Sequence, residues 1–282
     1  VLRSLLIKIP TLLLAAAAAW WRPGAEGLAL ASLTLAAGTA LLLLLVLHPN
    51  ASLWAPTRSR ARGPSRAVAL SFDDGPDPDF TPPLLDLLAT RGVKAAFFLV
   101  GERVEKHPDL VERIHREGHL AANHSHRHGL AFPFLLAAAA GKEIDACNAA
   151  IARVIGAAPR LFRAPLGFKN PALGDALRRR GMVAVGWQAR GYDAVEPSAE
   201  VIARRVLARL RPGGVVLLHD GAGLGGTADR RPTLEALPEI IDGVRARGLD
   251  FVRLDVLLDE APYQPPGPAE SLESRCWPRE RW

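Results

Sequence analysis

The sequence predicts an α/β domain built on a parallel sheet and preceded by a membrane-embedded helical segment. Three observations carry this. From Arg66 onward, short strand-like apolar runs alternate with longer helix-like runs, the order that gives right-handed crossovers and a parallel sheet. Proline opens and glycine closes the early helix-like runs, as in Thr81-Pro82-Pro83 to Gly92 and Pro108 to Gly118. Upstream, Leu28 to Leu47 carries no charge, and about 20 apolar residues cross a hydrocarbon core of about 30 Å.

A second apolar stretch, Leu5 to Trp21, is interrupted by Lys8 and Pro10. Lys8 lies near one end, where it can snorkel, and Trp20-Trp21 suits an interface. We expect a membrane anchor over 1–48, a two-helix hairpin with spans near 5–21 and 28–47 that turns at Arg22–Glu26. One span preceded by an interfacial segment is the alternative. A cleaved signal peptide fits less well, because the run is long and starts late. Arg3 and Lys8 flank the first stretch, Arg58, Arg60, Arg62 and Arg66 follow the second, and the turn carries only Arg22. Both ends in the cytoplasm satisfies the positive-inside rule, whereas a single span leaves the charges nearly balanced and the domain free to face outward. Localisation is therefore read as integral to the cell membrane, with the side left open.

Residues 49–66, with Pro49, Pro56, Gly63 and Pro64, read as a linker. The strand-like runs that follow are Ala67–Phe72, Ala95–Val100, Leu120–Asn123, Leu161–Arg163, Met182–Trp187, Gly214–His219 and Asp250–Leu254. Helices are expected from Thr81 to Arg91, over Asp109–Glu117, and near Phe134–Ile155, Pro171–Arg180, Ala199–Leu210 and Thr233–Arg247. Seven such units close into a barrel or form an open doubly wound sheet, and in both cases the active site belongs at the strands' C-terminal ends. No GxGxxG follows the first strand, which disfavours a dinucleotide site. The domain is placed at 67–258, and 259–282, rich in proline, reads as an irregular tail. Trp277 and Trp282 in that tail could pack back on the domain or touch membrane.

The net charge of +6 would suit nucleic acid or an anionic membrane surface. The arginines are spread along the chain and no nucleic-acid-reading motif is present, so the membrane surface or an Arg-rich composition is the preferred cause. Cys147 and Cys276 are far apart and imply no disulfide framework.

The chemistry concentrates in Ser71-Phe72-Asp73-Asp74-Gly75-Pro76. Two adjacent carboxylates at a strand end resist joint ionisation unless a cation or strong donor separates their roles; the plain alternative is a solvated acidic turn. His124 and His128, just past the third strand, are four apart, and one helical turn would put both on one face. With a carboxylate from Asp73 or Asp74 they make a two-His, one-carboxylate set with open positions, suited to zinc and to other divalent first-row metals. His126 points elsewhere at this spacing.

Four motifs now resemble those of the polysaccharide deacetylases with a NodB-homology domain, carbohydrate esterase family four. Phe72–Pro76 is similar to the first motif, Gly118–His128 to the second, Arg163-Ala164-Pro165-Leu166-Gly167 to the third and Leu217-Leu218-His219 to the fifth. The match runs along roughly 67–255. It implies a distorted seven-stranded β/α, TIM-like barrel and a divalent metal, most often zinc. It also implies that Asp74, His124 and His128 hold the metal, and that Asp73 is the base that takes a proton from the attacking water. By the same resemblance Arg163 pairs with Asp73, Leu166 offers a backbone N–H to an oxyanion, His219 is the general acid and Leu217 lines the acyl pocket.

The fourth motif departs from the pattern. In Trp187-Gln188-Ala189-Arg190-Gly191-Tyr192-Asp193-Ala194, Asp193 matches the second acidic position, which tunes the catalytic His. Arg190 stands at the first, and Ala194 stands where a Trp is common. Trp187 is either core or a wall of the acyl pocket. A less aromatic groove argues against long polymer chains as substrate. The expectation is a metal-dependent hydrolase that removes N-acetyl groups from an amino-sugar glycan or glycoconjugate at the membrane. The alternatives are a deformylase or other C–N hydrolase on a lipid-linked amino sugar, and a membrane-anchored glycan-binding module without activity.

Overall fold

The computed structural model describes residues 2–223 and 229–265. Two helices come first, α1 (Leu2–Trp21) and α2 (Ala25–Leu47). A turn of only three residues joins them, so they run antiparallel. Their contact is close because Gly38 faces Thr11, where a Cβ would come within 2.4 Å of the threonine methyl. Small residues at such a crossing let two apolar helices approach without a polar seam. Helix α2 is long and apolar enough to cross a membrane, while the apolar part of α1, Leu5–Trp21, is shorter.

The domain is a curled, parallel-stranded α/β sheet. Its strands are β1 (Thr57–Arg58), β2 (Ala67–Asp73), β3 (Ala95–Leu99), β4 (Leu120–Asn123), β5 (Leu161–Phe162), β6 (Val183–Val185), β7 (Ala189–Arg190), β8 (Val215–His219) and β9 (Asp250–Phe251). They are ordered β1-β6-β5-β4-β3-β2-β8-β7, with β9 pairing the start of β2. A bridge between Arg60 and Gly214 carries the chain from β1 across to the start of β8. The ring is thereby drawn together as a distorted barrel.

The remaining helices are α3 (Thr81–Thr90), α4 (Gly101–Lys106), α5 (Pro108–Arg116), α6 (Ala137–Ile155), α7 (Pro171–Arg179), α8 (Ala199–Arg209), α9 (Arg231–Arg245) and α10 (Leu254–Leu258). The expected strands and long helices recur at these places, shifted by a few residues at their ends. Strands β1 and β7 and helices α4 and α10 have no counterpart in the pattern reading, because two to six residues are too few to show a period. Leu254, read as the end of a strand, instead opens α10.

Both flanks of the domain are tied to it. Residues 49–66 do not form a free linker: Trp54 and Ala55 are fully buried, and Thr57 and Arg58 pair with Ala184 and Val185. An isolated Trp between prolines gives no periodic signal, yet burying it stabilises about as much as a core aromatic does. Beyond the domain, Glu260 takes ion pairs from Arg58 and Arg62, and Gln264 donates to Pro159 and Arg180 carbonyls. The start of the expected tail is thus fastened down. Residues 266–282, with Trp277, Trp282 and Cys276, lie outside the described residues.

Alternation along β2 decides what reaches the site. Val68, Leu70 and Phe72 pack outward with Leu84, Leu85, Ile240 and Ile241 of the surrounding helices. Ala69 faces inward with Ala96, Phe98 and Ala122, above Leu254 and Leu258 of α10. The same period of two carries Asp73 inward at the C-terminal end of the strand.

Candidate active site

A cleft of about 400 Å³ opens at the C-terminal ends of the strands, lined by Asp73, Asp74, His124, His128, Leu166, Trp187, Leu217 and His219 among others. Arg163 and Asp193 stand directly behind this lining. All ten residues singled out from the sequence are therefore at one place.

Asp73 closes β2 and is 4% exposed. Its Oδ1 accepts from Arg163 Nη1 at 2.6 Å. Arg163 is fully buried and is held by the Val185 and Gly186 carbonyls, at 3.3 and 3.4 Å. Its guanidinium also stacks 4.0 Å from the Phe98 ring centroid. A buried cation so fixed keeps one carboxylate oxygen engaged and leaves the other facing the cleft.

Asp74 turns the other way because its backbone is left-handed, with φ at 75°. The next residue must be glycine, since a Cβ on Gly75 would fall 2.2 Å from Asp220 Oδ2. Asp74 Oδ1 lies 3.4 Å from His124 Nε2 and 3.2 Å from His128 Nε2. Burial would raise the Asp74 pKa, but the neighbouring histidines outweigh it and bring it below the usual carboxylate range.

The two histidines meet without a helix. They sit on the loop after β4, and Ser125 at φ 68° and His128 at φ 51° turn the chain back on itself. The i, i+4 spacing therefore coincides with convergence for a different reason from the one expected: left-handed backbone replaces a helical turn. His124 Nδ1 is 2.8 Å from the Arg163 carbonyl, which accepts only if that nitrogen carries the proton. In the neutral ring Nε2 then carries the lone pair and faces Asp74. The His128 pKa is pulled down to about 4 by burial and by the neighbouring His124, which keeps this ring neutral.

These residues fit a divalent cation. The ligand atoms of Asp74, His124 and His128 lie within 4.8 Å of one another and all three residues are buried. Asp74 Oδ1 finds no hydrogen-bond partner in the described structure, an orphaned buried acceptor that a cation would satisfy. The carbonyl fixing the His124 tautomer is the outer partner that metal-binding imidazoles use.

Across the cleft, His219 ends β8. Its backbone N–H donates to Asp193 Oδ2 at 2.8 Å and its Nδ1 lies 3.0 Å from Asp193 Oδ1, so Nε2 is the free ring nitrogen. Burial disfavours the imidazolium, but Asp193 outweighs it and raises the His219 pKa to about 9. Asp193 also accepts from Thr233 Oγ1 at 2.9 Å. The buried Arg230 donates to the Asp193 and Gly221 carbonyls. Neither Thr233 nor Arg230 was singled out from the sequence. In a chain with so many arginines, a buried Arg strut has no sequence signature.

Trp187 is nearly buried and forms one wall. Arg190, at the position where an acidic residue was looked for, stacks 4.0 Å from the Tyr192 ring and 5.8 Å from Trp187. Its cation thus lines the mouth. Among the described residues, non-glycine positions with positive φ are Asp74, Ser125, His128, Leu166, Tyr192 and Asp259. All but Asp259 belong to the cleft or to its histidine loop, so backbone strain is gathered where side chains must be aimed.

A family model described as "Polysaccharide deacetylase" matches residues 60–185. A chitooligosaccharide deacetylase of Bradyrhizobium sp. is 35% identical over 66% of this chain and 88% of its own length. A peptidoglycan-N-acetylglucosamine deacetylase of Bacillus cereus is 34% identical over 68% of this chain and 88% of its own. Among solved structures, a peptidoglycan N-acetylglucosamine deacetylase, 31% identical, covers 75% of this chain and 96% of its own, with a TM-score of 0.70.

Proposed function

This chain belongs to the polysaccharide deacetylase family, and on that premise we propose that it removes N-acetyl groups from an amino-sugar glycan or glycoconjugate at a membrane. As a member it is a hydrolase of non-peptide C–N bonds. The relatives named for chitooligosaccharide and peptidoglycan N-acetylglucosamine support an N-acetylated amino sugar as the substrate class. The observation that carries the reading is the division of the Asp73–Asp74 pair: Arg163 holds one carboxylate, and two imidazoles face the other.

Asp74, His124 and His128 would hold the cation, and zinc suits this donor set. When bound, it polarises the acyl oxygen and lowers the pKa of water. Asp73 takes the proton from the water that adds to the acyl carbon, oriented by its bond to Arg163. The oxygen that becomes negative is met by the backbone N–H of Leu166 at the cleft lip. Leu217 and Trp187 enclose the methyl group. His219, protonated and braced by Asp193, gives its Nε2 proton to the sugar nitrogen as the C–N bond breaks. Acetate and a free amine leave.

A lipid-linked formamido sugar would use the same groups. The test incubates the purified full chain with N-acetylated oligosaccharides, N-acetylated glycolipid and its N-formyl counterpart, with chelator and with zinc restored. Acetate release that stops with chelator and returns with zinc is the expected result. Formate alone would select the deformylase, and no acid with any of these substrates would leave a glycan-binding module.

A further inference from the structure

Three features around the cleft bear on where it sits. The first is a clasp. Only two residues separate the end of α2 at Leu47 from Asn50, whose Nδ2 donates to the Trp187 carbonyl at 2.8 Å and whose Oδ1 accepts from the Trp187 N–H at 3.1 Å. Lys169 N–H donates to Val46 O at 3.2 Å, and Lys169 Nζ donates to the Pro49 carbonyl. The last turn of the apolar helix is thus bonded to the cleft wall, with no slack between them.

The second is an apolar loop beside that junction. Asn170, next in sequence to Lys169, donates to Pro133 O at 2.6 Å. Phe132 and Phe162 are buried and meet as a tilted pair with ring centroids 6.1 Å apart, which anchors the loop. Around this anchor Leu130, Phe134 and Leu136 are 69%, 85% and 78% exposed. Large side chains left in solvent so close together mark an interaction surface.

The third is charge. A groove runs from Asp74 and His128 to Leu130, and its lining includes Arg103, Lys106 and Arg127 together with Glu102. Arg127 is paired with Glu143 and Arg103 lies 3.7 Å from Asp77, while Lys106 is exposed. Exposed apolar tips match the acyl boundary of a bilayer, and Lys106 beside them can meet a lipid phosphate.

We propose that the 130–136 loop is a second membrane contact, immersed in the bilayer surface that α2 enters, so that the cleft opens onto the membrane and takes an amino sugar carried by a lipid. The occupant of the loop is the lipid surface itself, because the patch is continuous with the end of an apolar helix of spanning length. The substrate part of the inference rests on the deacetylase reading; the docking part does not.

The test uses the full chain with Cys276→Ser, reconstituted into vesicles of phosphatidylcholine and phosphatidylglycerol. A nitroxide is attached through Phe134→Cys, and in a second sample through Val256→Cys, an exposed site on α10 at the opposite end of the barrel. Cys147 is buried, with its thiol pushed up to about 12, and stays unlabelled. Residue 134 is expected to collide more with oxygen than with a water-soluble nickel chelate, and residue 256 the reverse. An aqueous signature at 134, or shielding from both reagents as in a protein interface, overturns the docking.

The second arm compares substrates. Phe134→Ser with Leu136→Ser should lower turnover of a vesicle-borne N-acetylated glycolipid about tenfold or more. Turnover of a soluble N-acetylated oligosaccharide should stay within about twofold, since no group facing the reacting atoms changes. Equal loss on both substrates overturns the membrane-presented substrate. No turnover of either substrate by the parent chain would remove the deacetylase reading, and the label at 134 would then decide the docking alone.

Discussion

Asp73 and His219 are register partners on adjacent parallel strands, β2 and β8. Their side chains enter the cleft from neighbouring positions, and the Asp220 N–H donates to Asp73 O at 3.2 Å to continue the pairing. The proposed base and acid are therefore spaced by the sheet itself, with strand axes about 4.8 Å apart. Loop rearrangement cannot separate them.

The acid should show itself in the pH profile. Burial works against the His219 cation, but Asp193 raises its pKa to about 9, so kcat/KM should fall as pH rises through about 9. Asp193→Asn removes the opposing charge. Its alkaline limb should move towards the ordinary imidazole value of about 6.5, with turnover lowered roughly 10²-fold or more. Stability follows the same sign: the folded pKa lies above the unfolded one, so the pair's contribution is complete below about pH 6.5 and is lost as pH rises through about 9. Superposable profiles for parent and variant would show that Asp193 does not set this limb.

The two adjacent carboxylates should separate on substitution. Asp73→Asn is expected to keep bound zinc while turnover falls roughly 10²- to 10⁴-fold. Asp74→Ala should lose zinc, because it removes the only carboxylate of the three-ligand cluster. Zinc content by elemental analysis, beside turnover, checks both. Equal zinc loss in the two variants would sink the division of roles.

Arg163 should matter to folding as well as to chemistry. Arg163→Met leaves the Asp73 carboxylate buried without its cation, a change that costs about 3–5 kcal/mol in comparable pairs. Adding Asp73→Asn to that variant should restore part of the loss, since the unpaired charge is then gone. Denaturant unfolding of the two single variants and the double variant measures the coupling. Strict additivity would mean that the ion pair is not what Arg163 stabilises.

Much of the site was legible because its residues lie at the ends of patterned elements. Alternation along Ala67–Phe72 placed Asp73 at a strand end, and the buried run before His219 did the same for the acid. The histidine pair was found by spacing, although the geometry behind it is a left-handed loop and not a helical turn. Arg190 was noticed as a departure, but its stacking on Tyr192 depends on a backbone at φ 62°, which sequence does not announce. Thr233, Arg230 and Asn50 left no trace, because each acts through one hydrogen-bonded contact far away in the chain.

By itself the sequence determined the α/β class, the order of the main strands and helices, the long apolar helix and the residue types of the cleft. Periodicity, capping and composition act locally, so they survive in one dimension. Only the tertiary structure decided that Trp54 to Arg58 pack as part of the barrel, that Asn50 clasps Trp187 at the end of α2, and that Asp73 and Asp74 face different partners. Those outcomes depend on long-range burial and on strained backbone at single residues. The free energy of both is settled by neighbours that lie far off along the chain.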